Sequence, residues 1–325
     1  MSKTKPSVTI IFCLLCCMIL SSTSIYAEER VLALPGTIVY DEPEGLKVPR
    51  NFRLMSSPYK SLNEATPTRS GLDKLKLSAS AQFSEETLKA VLPKMQGEVW
   101  VLDLRRESHG FEDGLPISWY AIQNQSNKDL TTEEILKKEL ILLKNFKQEK
   151  NPTVHRVTKK IEGAIVHSDP ISVKTQRVES EQQLSVRLNL NYKRLPVADH
   201  HRPTDEQVDE FMHFYQSLPE NAWIHMHCRG GKGRTTTFLM LVDMMNNAKT
   251  VSLEEIAARH ILLGGSDLLN LSDEPEKQWK HDSARLRKSF VELFNHYAKS
   301  DDFPKLSWTE WLKQQTKIID FDAPQ

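Results

Sequence analysis

Short apolar runs alternate with longer helical patterns along the chain. Residues 98–104 (EVWVLDL) and 223–226 (WIHM) are apolar runs between polar segments, which predicts two buried strands. Several segments begin with Ser or Thr followed three positions later by Glu or Gln, the spacing of a helix capping box. These pairs are Thr131 with Glu134, Thr204 with Gln207, Ser252 with Glu255, and Ser307 with Glu310. Alternating strands and helices predict an α/β fold with a central, mainly parallel sheet flanked by helices.

The segment 151–181 has a different pattern, with β-branched residues, scattered prolines and little helical period. It predicts strands outside the main sheet, together with residues 31–40. We therefore expect a possible small β subdomain built from about residues 30–60 and 147–185.

The N-terminus has the pattern of a secretory signal peptide. Lys3 and Lys5 precede an apolar run over residues 8–20, and Ala27 follows a polar stretch. This run is shorter than the roughly 20 residues that a spanning helix needs, and no later segment is apolar enough to cross a bilayer. We expect residues 1–27 to be removed, leaving a domain over 28–325 that is secreted or periplasmic, without stable membrane insertion.

The 43 basic and 43 acidic residues balance, so no overall charge attracts nucleic acid.

Cysteine usage then becomes informative. Cys13, Cys16 and Cys17 lie in the expected signal peptide, so that Cys228 alone remains. A lone cysteine can form neither an intramolecular disulfide nor a multi-cysteine metal site. An exported protein that keeps one cysteine is expected to use its thiol.

Residues 227–235 (HCRGGKGRT) lie between the second predicted strand and an apolar helix. A helix N-terminus and successive backbone N–H groups stabilise a thiolate and bind phosphate oxygens. Gly230, Gly231 and Gly233 allow the tight backbone that brings several amides onto one anion. A nucleotide-binding P-loop fits less well, because it needs a Lys-Ser/Thr pair after its last glycine.

Two side chains after the glycines complete the chemistry of this loop. Arg234, six positions after Cys228, can direct its planar guanidinium onto two phosphoryl oxygens. Thr235 can donate its hydroxyl to the thiolate and later favour its departure. Cys228, Arg234 and Thr235 are therefore candidate catalytic residues.

The loop resembles the H-C-x5-R-[ST] signature of the protein tyrosine phosphatase superfamily. Residues 103–110 (DLRRESHG) and 114–120 (GLPISWY) resemble segments of the bacterial cysteine phytases, which are protein-tyrosine-phosphatase-like inositol polyphosphatases. The likeness extends over residues 49–313 through the segments 71–75, 80–84, 198–200 and 311–313. It implies a phosphatase core with a small added β-barrel, and hydrolysis of inositol polyphosphates such as phytate.

The resemblance also implies a general acid at Asp199, 29 residues before Cys228. Asp205 and Asp209 are nearer, but they fall in the helix that begins near Thr204, where acids serve the helix dipole. Cys228 would attack phosphorus while Asp199 protonates the leaving oxygen, and Asp199 would then activate water. This chemistry requires neither a metal nor a cofactor, and the histidines show no ligand spacing.

Substrate preference is expected to come from cations near the loop. Arg229 and Lys232 lie within it, and Arg105, Arg106, His200, Lys277 and Lys280 are candidates to extend a positive wall. Such a wall favours inositol phosphates or other phosphorylated small molecules. It leaves open an exported phosphotyrosine or phosphoinositide phosphatase. A noncatalytic phosphate-binding module is disfavoured because cysteine, arginine and acid are all present.

Overall fold

Two sheets organise the fold in the computed structural model, which describes residues 36–60, 66–272 and 274–315. In chain order the strands are β1 (Thr37–Tyr40), β2 (Arg53–Leu54), β3 (Leu77–Ser80), β4 (Glu98–Asp103), β5 (His109–Glu112), β6 (Leu115–Tyr120), β7 (Thr153–Ile161), β8 (Ala164–Ser172), β9 (Val178–Glu179), β10 (Asn191–Arg194) and β11 (Ala222–His227). The helices are α1 (Glu85–Val91), α2 (Thr132–Gln148), α3 (Glu181–Arg187), α4 (Asp205–Ser217), α5 (Gly233–Asn247), α6 (Leu253–Leu262), α7 (His281–Lys299) and α8 (Trp308–Gln315). The expected signal peptide, residues 1–27, lies outside the described residues.

The five-stranded sheet has the order β10-β4-β11-β3-β2. Its first four strands are parallel, and only the short β2 pairs antiparallel, with β3. The predicted strands are its central members β4 and β11, which confirms the expectation of a mainly parallel sheet. Because parallel strands end at the same edge, the residues that follow β3, β4, β10 and β11 meet there.

Helices cover both faces of this sheet. Side chains of α4, α5, α6, α7 and α8 form the larger core on one face, and α1 and α3 pack on the other. The predicted caps Thr131, Thr204, Ser252 and Ser307 each accept a hydrogen bond from the N–H three residues further on. Most of the side chains of α5 are buried, so it is a central helix rather than an amphipathic surface helix.

The second sheet has the order β8-β7-β1-β6-β5-β9. Strands β1, β7, β8 and β9 come from the two regions where a β subdomain was expected, and β5 and β6 join them. In the described part of the chain its outer strands β8 and β9 do not pair, so the sheet is open there. The closed barrel that the resemblance implies stays a prediction.

The turn between β7 and β8 consists of Glu162 and Gly163, which both have positive φ angles, 46° and 80°. That geometry matches the twist of a two-residue hairpin. No described helix combines the length and the apolar character that crossing a bilayer requires.

Candidate active site

The loop that carries Cys228 begins where β11 ends and leads directly into α5. Cys228 is 3% exposed and is not in a disulfide. Gly231 has φ +64°, and a Cβ there would lie 2.3 Å from the backbone of Ser80 and Ala81, so this position requires glycine. A Cβ at Gly233 would lie 2.7 Å from Arg287 Nη1, whereas one at Gly230 would meet nothing within 4 Å. The steric requirement expected for three glycines therefore applies to Gly231, whereas at Gly233 the close atom is the end of the Arg287 side chain.

Two side chains from the segment around β2 bind the backbone of the loop that carries Cys228. Asn51 Nδ2 donates to the Gly230 carbonyl and Arg53 Nη1 donates to the Gly231 carbonyl, both at 2.9 Å. Burial lowers the pKa of Arg53 to about 10, although the nearby Cys228 acts to raise it. Because these side chains bind two loop carbonyls, the carbonyl oxygens are held away from an anion in the loop.

The guanidinium of Arg234 lies between two carboxylates. Its Nη1 is 2.8 Å from Glu107 Oε2, and its Nη2 is 3.1 Å from Asp199 Oδ1. Its Nε is buried without a hydrogen-bond partner in the described part of the protein. Burial acts to lower the pKa of Arg234, but Asp199, Glu107 and Cys228 outweigh it and raise that pKa well above its usual range. A permanently charged donor is therefore available beside the thiol.

Asp199 lies in the loop after β10 and borders the same cleft as Cys228. Its Oδ2 accepts from Asn124 Nδ2 at 2.9 Å, and its Oδ1 accepts from the His200 backbone N–H at 3.0 Å. Burial acts to raise the pKa of Asp199, but Arg234 and then His200 outweigh it, so that the pKa is lowered. The structure thus brings the predicted acid into contact with the predicted phosphate-binding arginine.

Thr235 is fully buried, and its Oγ1 has no hydrogen-bond partner among the residues described. A buried hydroxyl without a partner can donate to a nearby acceptor at little cost, because no existing bond has to break. The predicted hydrogen bond from Thr235 to Cys228 is not formed among the described residues, so this donation stays a prediction.

A cleft of about 1480 Å³ opens above the loop. The cations that line it are Lys47, Arg50, Arg156, Lys159, Lys160, Arg229, Lys232, Lys277, Lys280 and Arg287. The acids that line it are Asp41, Glu42, Glu44, Glu86, Asp199, Asp267 and Glu274. The lining is therefore positive in a chain whose total charge is zero, and it can attract a polyanion locally.

Most of the predicted wall residues line this cleft. Arg229 Nε pairs with Asp41 Oδ1 at 2.6 Å, and Lys232 Nζ donates to the Gly264 carbonyl at 2.5 Å. His200, Lys277 and Lys280 are also part of the lining. Lys277 forms an ion pair with Glu274, and Lys280 Nζ lies 5.5 Å from the centre of the Trp279 ring.

The placement of Arg105 and Arg106 on the wall was wrong. Arg105 is fully buried and pairs with Asp41 Oδ2 at 2.7 Å and Glu107 Oε1 at 2.9 Å. Arg106 donates to backbone carbonyls, among them that of Asn127 at 2.9 Å. Buried carboxylates and a neighbouring loop draw these two side chains away from the cleft, so neither is free to bind substrate.

One buried cluster has donors of the kind that bind metals. Ligand atoms of Asp103, His109 and Glu181 lie within 4.8 Å of one another. Arg194 Nε lies 3.2 Å from Asp103 Oδ2, to which Tyr192 OH also donates. Burial acts to lower the pKa of His109, but the nearby Asp103 is chief among the groups that raise it to about 10. A protonated imidazole cannot bind a metal, so this donor set favours an ion-paired cluster.

Three comparisons relate this site to known proteins. Residues 102–246 match the PTP-like phytase family, whose description names inositol hexakisphosphate. The PTP-like phytase from Bdellovibrio bacteriovorus is 37% identical with a TM-score of 0.66, over 86% of this chain and 95% of that one. The chain belongs to the PTP-like phytase family.

Two further relatives are longer than this PTP-like phytase. The PTP-like myo-inositol phosphatase from Mitsuokella multacida, solved in complex with myo-inositol-(1,3,4,5)-tetrakisphosphate, is 35% identical with a TM-score of 0.78, over 86% of this chain and 49% of that one. The effector protein hopD2 of Pseudomonas syringae pv. tomato is 30% identical over 74% of this chain and 52% of its own length. The chain thus spans about half the length of each.

Sequence reasoning missed several residues of the site in this PTP-like phytase. Glu107 lies inside the segment 103–110 that carries the resemblance, and this position could have indicated a role in the site. Arg53 and Arg287 stand in otherwise ordinary sequence, and only the fold brings them to the loop. Lys160 and Asn124 come from β7 and the loop after β6, where no local pattern indicates a role in the cleft.

Proposed function

We propose that this protein hydrolyses phosphate monoesters on myo-inositol polyphosphates through a phosphocysteine intermediate. The observation that carries the proposal is the meeting of Cys228, Arg234 and Asp199 at a cleft with a positive lining. The complex of the Mitsuokella relative with an inositol tetrakisphosphate supports the same substrate class.

In the first step Cys228 Sγ attacks phosphorus, the bond from phosphorus to the ester oxygen breaks, and Asp199 gives its proton to that oxygen. In the free protein Asp199 is paired with Arg234 and its pKa is lowered, so substrate binding must raise this pKa before Asp199 can act as the acid. A bound phosphate dianion competes with Asp199 for Arg234 and adds negative charge beside the carboxylate. Both changes raise the pKa of Asp199, so that it enters the reaction protonated.

In the second step water attacks the phosphocysteine and the sulfur–phosphorus bond breaks. Asp199, which has just lost its proton, accepts one from the water, and the thiolate is released. Backbone N–H groups of the loop and Arg234 compensate the charge on the phosphoryl oxygens in both steps. The Thr235 hydroxyl stabilises the departing thiolate.

The substrate class is proposed from the cleft beyond the loop. A single phosphate needs only the loop and Arg234, whereas a ring with several phosphates can also contact Arg229 and Lys160, which lie over the same Tyr120 ring, and Arg287, which also lines the cleft. Such contacts strengthen the binding of a molecule that carries several phosphates. They favour an inositol polyphosphate over a singly phosphorylated side chain.

The test compares kcat/KM for inositol hexakisphosphate, a phosphotyrosyl peptide and phosphoinositide vesicles, with Cys228→Ser as the blank. We expect the highest kcat/KM for inositol hexakisphosphate and no turnover by the Cys228→Ser variant. A higher value for the peptide or the vesicles would instead support the exported tyrosine or lipid phosphatase.

We also propose that the protein is secreted or periplasmic, on the pattern of residues 1–27. The test is N-terminal sequencing of the protein recovered from the medium or periplasm of cells that produce it. We expect an N-terminus near residue 28. Protein that retains Met1 and remains in the cytoplasm would contradict this.

A further inference from the structure

The loop between β6 and α2 lies beside Asp199 but has no part in the chemistry proposed above. Asn124 in this loop is buried and donates from Nδ2 to Asp199 Oδ2 at 2.9 Å. The other carboxyl oxygen, Oδ1, is 3.1 Å from Arg234 Nη2. Asp199 is therefore held on both sides, by a charged group on one and by a neutral amide on the other.

The backbone that presents Asn124 is strained. Gln123 and Asn124 have φ angles of 55° and 61°, so two consecutive residues other than glycine adopt the left-handed conformation. Such strain persists only where the surroundings enforce it, and it is concentrated at functional sites. The strain is greater at Gln123, because asparagine tolerates the left-handed conformation, and holding Gln123 in it places Asn124 beside Asp199.

Contacts from the β7–β8 turn enforce this conformation. The Gly163 carbonyl accepts from the Gln123 backbone N–H at 3.0 Å and from Tyr120 OH at 2.7 Å. The Asn124 backbone N–H donates to the Ala121 carbonyl at 2.8 Å. The second sheet thus fixes the loop whose side chain contacts the general acid.

We propose that Asn124 is a positioning residue for Asp199, which fixes the plane of its carboxyl group for proton transfer to the leaving oxygen and influences the pH range over which that group is protonated. The inference rests on the proposed function, because it assigns Asn124 a role only through Asp199. A donated N–H favours the ionised carboxylate over the protonated acid, since only the charged oxygen accepts it at full strength.

The charged environment of Asp199 does not provide this effect by itself. The titratable and charged groups that face Asp199 are Arg234, Glu107, His200, Tyr120, Lys160, Lys280 and Arg287. Asn124 carries no charge, yet its hydrogen bond also lowers the pKa of Asp199. Replacing Asn124 changes that bond and leaves the other groups in place.

The experiment measures kcat/KM against pH for Asn124→Ala and Asn124→Asp with two monophosphates, glycerol 2-phosphate and p-nitrophenyl phosphate. We expect kcat/KM for the alkyl ester to fall about tenfold or more, the usual effect of losing a hydrogen bond to a charged group. The aryl ester, whose leaving group needs no proton, should lose much less. The alkaline limb should move to higher pH, further for Asn124→Asp, because a second carboxylate disfavours ionisation.

The decisive control repeats both substitutions in the Asp199→Asn background, where they should have no further effect. Ile122→Ala, at a 70% exposed position of the same loop, should leave every parameter unchanged. A loss that persists without Asp199, an unmoved alkaline limb, or equal losses on both esters would overturn the proposal. These assays use monophosphates, so failure of the polyphosphate assignment would appear separately in the wild-type comparison with inositol hexakisphosphate.

Discussion

Glu107 and Arg234 form a bidentate ion pair in which neither side chain is more than 1% exposed. The distances are 2.8 Å from Oε2 to Nη1 and 3.0 Å from Oε1 to Nη2. Glu107 Oε1 also accepts from Arg105 Nε, so this carboxylate links the arginine of the loop to the residues after β4. Two bonds fix the plane of the Arg234 guanidinium before any phosphate arrives.

We expect Glu107→Gln to lower kcat/KM by about a hundredfold, because an amide cannot accept two bonds in this geometry and the guanidinium loses its orientation. The free energy of unfolding should fall by about 3 kcal/mol, because two buried arginines lose a shared anion. Steady-state kinetics and urea unfolding measure the two effects. The control is Glu254→Gln, at an exposed position in the first turn of α6. Unchanged kinetics in Glu107→Gln would show that the loop alone orients Arg234.

The difference between Arg234 and Arg105 shows what the sequence can and cannot predict. The spacing from Cys228 to Arg234 is local, and a strand followed by a helix converts it directly into a phosphate-binding loop. Arg105 is near Arg234 in space only because Asp41 and Glu107 draw it inward, and Asp41 lies 64 positions earlier in the chain. A positive charge in the sequence does not reveal whether a carboxylate will neutralise it after folding.

The secondary structure also shows this difference between local patterns, which the sequence reveals, and long-range contacts, which it does not. The caps at Thr131 and Thr204 depend on residues three positions apart, and both were predicted. Ser180 and Gln183 form the same box at the start of α3, but Ser180 lies in the segment 151–181, whose β-branched residues favoured strands. Asn124 contacts Asp199 across 75 positions, and no pattern within its own loop indicates that contact.

We expect a chelator to leave turnover of inositol hexakisphosphate unchanged. The steps proposed for Cys228 and Asp199 require no metal, and in the Asp103, His109 and Glu181 cluster the pKa of His109 is raised to about 10, which keeps its imidazole protonated. The measurement is the initial rate after dialysis against EDTA, with added zinc or magnesium as the reverse test. Activity that is lost on dialysis and restored by a divalent ion would contradict the proposed mechanism.

We expect Asp199→Asn to lower kcat/KM for inositol phosphates by about a hundredfold or more, because the amide has no proton to give to an alkoxide. For p-nitrophenyl phosphate the loss should be small, since its leaving group departs as a stable anion. Comparing the two substrates at several pH values measures the difference. Equal losses would mean that another residue supplies the proton. Asp205→Asn, in the first turn of α4, is the matched control.

The loop cations should matter more for polyphosphates than for monophosphates. We expect Arg229→Gln and Lys232→Met each to lower kcat/KM for inositol hexakisphosphate by about fivefold, the value of one partly exposed ion pair. An aryl monophosphate has no second phosphate to contact these side chains and should change little. The difference should shrink at high ionic strength. Equal losses on both substrates would indicate that the two cations act on loop structure, through Asp41 and the Gly264 carbonyl respectively.

We expect Lys160 to make substrate affinity depend on pH. Its Nζ lies 3.8 Å from the centre of the Tyr120 ring, and Arg229 Cζ lies 4.7 Å from the same ring. Burial, and then the charge of Arg229, lower the pKa of Lys160 to about 7. The amine is therefore mostly neutral above pH 7 in the free protein and charged below it. A ring phosphate beside it favours the charged form, so binding above pH 7 must take up a proton.

From this coupling we expect the ratio of KM for inositol hexakisphosphate between Lys160→Met and wild type to depend on pH. At pH 6 the wild-type amine is already charged, and the ratio should be about fivefold, the value of one ion pair. As the pH rises through 7 the cost of protonation grows and cancels this advantage, so the ratio should approach one by pH 9. Taking the ratio removes the titration of the substrate itself, which both proteins share. Lys159→Met, at a neighbouring cation of the cleft lining, is the control and should give a ratio to wild type without this fall. A Lys160→Met ratio that stays constant from pH 6 to 9 would show that Lys160 keeps its charge in the free protein or does not contact the substrate.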